Sequence, residues 1–122
     1  MIFMNTLSMQ GYILAARSRD LAGLADLQSR RSRAMAVAKL AANLLRADFG
    51  ARRVMLFGSV VSDDSYFHQG SDIDLAAWGV CDRSYFKAVG VLQGLSEFDI
   101  DLVLPQDVPS YILSAIANGV EL

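Results

Sequence analysis

The stretch Asp72-Ile73-Asp74-Leu75 constrains this chain more than any other. A strand sends successive side chains to opposite faces, so Asp72 and Asp74 share one face while Ile73 and Leu75 point into a core. Aspartate is a poor strand former, and two on one strand face need a reason. The bland reason is polar-out alternation on an antiparallel strand. The chemical reason is that two carboxylates held side by side repel each other, and a divalent cation removes the conflict. That reading asks for Mg²⁺ or Mn²⁺. Upstream, the apolar run 54–57 ends in Gly58-Ser59. Read alone, the dipeptide is an ordinary turn. Beside the aspartates it reads as a phosphate site: glycine lets the backbone approach a ligand closely, and the amide and hydroxyl of Ser59 can then donate to phosphate oxygens.

Around this centre the pattern predicts one α/β domain. The chain has 122 residues, enough for a single core and too few for two, with no repeats, low-complexity tracts or Pro/Ser linkers. Val37, Leu40, Ala41, Leu44 and Leu45 recur at helical spacing, and Gly50 is placed to stop that helix in a left-handed cap. Strands are expected over 54–57 and 72–78, with a turn-rich loop from Ser62 to Gly70 between them. Asp82 or Ser84 is placed to cap a helix over 84–95 whose apolar side carries Tyr85, Ala88, Val89, Leu92 and Leu95. A third strand over 98–104 puts Phe98, Ile100, Leu102 and Leu104 on one face and Asp99 and Asp101 on the other. Asp107 is expected to cap a final helix ending near Asn118-Gly119. Helix, strand, strand, helix, strand, helix is solved by a small mixed sheet.

Gly58-Ser59 at a strand end, Ser71-Asp72-Ile73-Asp74-Leu75, and Phe98-Asp99-Ile100-Asp101-Leu102-Val103 together resemble the minimal nucleotidyltransferases of the DNA polymerase β superfamily, from residue 34 onward. The resemblance implies a polymerase-β-like α/β fold of the α+β kind, with the nucleotidyltransferase domain over 34–122 and an N-terminal helical extension over 1–33. It implies that Asp72, Asp74 and Asp101 bind two Mg²⁺ ions (or Mn²⁺), that Gly58 and Ser59 bind the nucleotide phosphates, and that the metal at Asp101 activates the acceptor. The residues alone leave Asp99 and Asp101 as rivals, since both lie on one strand face; the family match favours Asp101. The implied reaction moves a nucleoside monophosphate, AMP from ATP, to an acceptor hydroxyl. Small members of the family pair with a helical HEPN-type toxin, either neutralising it by binding or transferring AMP to one of its tyrosines. This chain departs from the family in one respect. Many members place a basic residue soon after Gly-Ser, where this sequence has Val60, Val61, Ser62, Asp63 and Asp64. The expectations that follow are weak activity, activity that uses a partner's arginines, or a fold kept for binding.

Charge is segregated along the chain. Residues 1–53 carry a net +6 and residues 54–122 a net −8, together the formal −2. An acidic half repels a triphosphate, so nucleotide binding there needs metal ions to reverse the local sign. The bland reading is a basic solvated helix, with its Arg30-Arg31-Ser32-Arg33 run, beside an acidic sheet. The overall acidity argues against direct nucleic-acid binding. The single cysteine, Cys81, excludes an intrachain disulfide and fits a reducing, cytoplasmic setting; it has no neighbouring base to mark it as a nucleophile. Neither a signal peptide nor a membrane span is read from the N-terminal stretch, where Asn5, Ser8 and Gln10 interrupt the apolar residues. His68, Tyr66, Phe67 and Trp78 are candidates to touch a base, and Arg52 and Arg53 to reach phosphate, each with packing or solvation as the rival explanation. Finally, 53% hydrophobic residues in so small a domain predict a docking surface, for a second copy or for the toxin-type partner.

Overall fold

The computed structural model describes residues 28–61 and 73–122. The expected loop with Tyr66, Phe67 and His68, the first carboxylate Asp72, and the stretch before residue 28 lie outside the described residues. Helix α1 is described over 28–49. Its buried face is Ala34, Ala38, Ala41, Ala42 and Leu45, a nearly smooth alanine stripe that brings the helix close to the sheet. Leu40, expected on that face, is instead 53% exposed. It lies two residues from Ala38, about 200° around the helix, so the alanine arc and Leu40 cannot be buried together. Val37 and Leu44 flank the stripe. The helix ends where expected: Gly50 adopts φ +72, and the Ala51 amide donates to the Leu45 carbonyl at 3.1 Å.

Strand β1 (Arg53–Phe57) runs into a 3-10 turn, Gly58–Val60; β2 (Ile73–Trp78) leads through a 3-10 turn at Asp82–Ser84 into α2 (Tyr85–Gln93); β3 (Ile100–Val103) is followed by a 3-10 turn at Pro105–Asp107, α3 (Ser110–Ala117) and β4 (Val120–Glu121). The sheet order is β3-β2-β1-β4. β1 is antiparallel to β2 and β4, whereas β2 and β3 are parallel and joined by the α2 crossover. The mixed α/β plan read from the sequence is therefore present. One sheet face, with Val54, Leu56, Ile73, Leu75, Ile100 and Leu102, packs against α1 and α2. The other, with Met55, Phe57 and Ala76, packs against Ile116 of α3. Among the described residues no helix is long and apolar enough to cross a membrane.

Some boundaries differ from the sequence reading. Only Ile100–Val103 of the expected 98–104 strand is paired, although Phe98 and Leu104 at its ends are buried as the alternation predicts. Asp107 does not cap α3. It sits in the 3-10 turn, and Pro109 precedes the helix and keeps Val108 extended, at φ −110 and ψ 153, so the helix starts only at Ser110. Ser84 makes no side-chain cap on α2, because the 3-10 turn feeds directly into the helix with Ser84 already helical. Strand β4 is absent from the sequence reading altogether: two residues carry no period to detect.

Two glycines make opposite predictions. A Cβ on Gly119 would overlap the Leu56 carbonyl and sit 3.0 Å from Phe57 Cβ, so only glycine lets the chain cross β1 closely before β4. A Cβ on Gly90, within α2, meets nothing within 4 Å. In denaturant unfolding, Gly119→Ala is expected to lose about 1–3 kcal/mol through overpacking, while Gly90→Ala gains about 0.5–1 kcal/mol from helix propensity.

Candidate active site

The β ladder builds the site. In the antiparallel pair Phe57 lies opposite Asp74, and in the parallel pair Asp74 lies opposite Asp101. Residues opposite one another share a face, so Phe57, Asp74 and Asp101 form a row across three strands, with neighbouring strands about 4.8 Å apart. The row lies on the α3 face, where β1 ends and β2 and β3 begin. Asp74 is half-buried and Asp101 exposed. Both line an open cavity of about 380 Å³, together with Phe57, Val103, Val108 and Ile112.

Gly58 follows Phe57 at φ +82, in the left-handed region, and a Cβ there would overlap the Asp74 carboxylate. Glycine is therefore required twice, by the backbone conformation and by the side chain across the ladder. The turn it opens is anchored by buried Val60, and the Val61 amide donates to the Gly58 carbonyl at 3.3 Å. Ser59 is half-buried within the same turn. Gly58 and Asp74 are thus brought into direct contact, with Ser59 beside them and Asp101 on the next strand.

Asp99, the rival of Asp101, is exposed and precedes β3; its carbonyl accepts from the Ile73 amide at 2.9 Å, and its side chain is not part of the cavity wall. Arg53 and Trp78 lie opposite each other at the far end of the β1–β2 ladder, with the Arg53 guanidinium 4.7 Å from the Trp78 ring and paired with Glu121. Four residues of strand, roughly 13 Å, separate them from Phe57 and Asp74. Trp78 is thus engaged by Arg53 and neither reaches the cavity; Arg52, whose amide donates to the Trp78 carbonyl at 2.7 Å, belongs to the same end. On α1, Arg30 lies 5.4 Å from the Phe98 ring and Arg33 is 3.8 Å from Glu97, so part of the basic run fastens the segment before β3. Cys81 is exposed in the β2–α2 connection.

Among the described residues no three carboxylate, imidazole or thiol groups gather, so the local donor set is Asp74 and Asp101. Two hard oxygen donors beside an open cavity fit Mg²⁺, which keeps water or phosphate oxygens in much of its shell. Sequence reasoning missed two polar groups at the cavity, Tyr85 in its polar role and Gln93 altogether. The available signal was the i, i+4, i+8 row Tyr85, Val89, Gln93, which places a polar group at the end of an apolar helix row. Compared with known protein families and with curated proteins, the chain matches none.

Proposed function

We propose that this protein is a metal-dependent nucleotidyltransferase that moves a nucleoside monophosphate, AMP from ATP, to an acceptor hydroxyl, the acceptor oxygen displacing pyrophosphate from the α-phosphorus as its proton passes to solvent. The observation that carries the reading is the row formed by Asp74 and Asp101 on adjacent parallel strands, with Gly58 packed against the Asp74 carboxylate. In this reading Asp72, Asp74 and Asp101 hold Mg²⁺ or Mn²⁺, and the Gly58–Ser59 turn donates to the triphosphate. Bound metal supplies charge neutralisation and a more acidic attacking hydroxyl. The chain's own residues orient the phosphates against the acceptor, and the cavity walls from Val103, Val108 and Ile112 give the substrate an apolar contact surface. The test is calorimetry of ATP binding with Mn²⁺ or Mg²⁺ and with chelator. Binding only in the presence of metal is expected; equal affinity in both would overturn the reading.

A second reading, an antitoxin that neutralises a HEPN-type toxin by docking alone, is favoured by a different observation: Phe86 on α2 is 83% exposed and Tyr111 on α3 is 72% exposed. Docking of that kind, or of a second copy, needs no carboxylates.

A further inference from the structure

β3 is an edge strand, bonded to β2 on one side only. Outward backbone groups on an edge either fray or recruit another strand unless something engages them. Here α2 does so with side chains. The Gln93 amide accepts from the Ile100 N–H at 3.2 Å and donates to the Ile100 carbonyl at 2.5 Å, reproducing both bonds of a ladder pair. The Tyr85 hydroxyl donates to the Leu102 carbonyl at 2.7 Å. These bonds fall on the residues immediately before and after Asp101. The burial of α2 does not depend on them, since Ala88 and Leu92 supply its buried contacts. Tyr85 and Gln93 also line the cavity that holds Asp74 and Asp101.

We propose that Gln93 and Tyr85 are positioning residues for Asp101, clamping the β3 backbone on both sides so that its carboxylate stays level with that of Asp74, a role that rests on the metal-site reading above. A constellation of ligands has to be held to about 0.5 Å, and an edge strand of four residues, Ile100–Val103, is short for that task without the clamp.

The experiment titrates the full chain with Mn²⁺ alone, reading free ion by electron paramagnetic resonance at a temperature where every variant is folded. The panel is wild type, Gln93→Ala, Gln93→Glu, Tyr85→Phe and a control, Ser96→Ala, which removes the 3.1 Å bond to the Phe98 amide without touching residues 100–102. Gln93→Ala is expected to weaken Mn²⁺ binding about 10- to 100-fold, the usual loss when a group that orients a ligand is removed. Gln93→Glu, which keeps the acceptor for the Ile100 amide, falls between, and Ser96→Ala binds as wild type does. Hydrogen exchange at the Ile100 amide quickens in Gln93→Ala in the same samples. If Gln93→Ala does not fold, Tyr85→Phe and Gln93→Glu carry the comparison. Wild-type Mn²⁺ affinity in the clamp variants, or an equal loss in Ser96→Ala, overturns the positioning role and leaves the metal site standing. A wild-type chain that binds no Mn²⁺ overturns both.

Discussion

On the proposed reading, Asp101→Asn is expected to abolish nucleotide transfer, a fall of about a thousandfold or more, because losing a metal ligand would remove several kcal/mol of transition-state stabilisation and each ~1.4 kcal/mol is tenfold. The fold should not register the change. Asp101 is exposed, and substitutions at such positions stay within about 0.5 kcal/mol. Asp99→Asn, one residue outside the paired strand, is expected to keep its activity. Full transfer by Asp101→Asn together with loss in Asp99→Asn would show that the neighbouring carboxylate is the ligand.

Gly58→Ala should damage stability and site together. The left-handed backbone at φ +82 costs a non-glycine residue about 1–2 kcal/mol. The added methyl also displaces the Asp74 carboxylate, so on the proposed reading metal-dependent ATP binding should be lost although no ligand has been deleted. A double-mutant cycle separates the two effects. In an Asp74→Ala background the carboxylate is gone, and Gly58→Ala should then cost only the backbone strain in denaturant unfolding. Strict additivity of the two substitutions would mean that the contact between Gly58 and Asp74 has no energetic consequence.

Partner docking is read separately. The Asp74→Asn/Asp101→Asn double variant should retain any partner that binds through the exposed Phe86 or Tyr111, because neither side chain contributes to the carboxylate row. Light scattering and co-expression report that binding independently of ATP.

The amino-acid sequence by itself determined what short-range sterics control. Gly50 and Gly58 stand where the chain turns left-handed, β1 and β2 appear as apolar runs, and the alternation from Phe98 to Leu104 separates buried from exposed residues even where backbone pairing stops. Period and glycine placement are local properties, so they can be read before the chain is folded. Tertiary structure decided what depends on which element lies opposite which. Alternation alone left Asp99 and Asp101 equivalent; the parallel register put Asp101 level with Asp74. Helical spacing admitted Leu40 to the core; packing of the alanine stripe turned it out. The same holds for the two-residue β4, and for Gln93 and Tyr85, whose partners are backbone groups of a strand several residues away. Strand register is set by cross-strand pairing and by the faces that must be buried at once, and no window of adjacent residues contains that information.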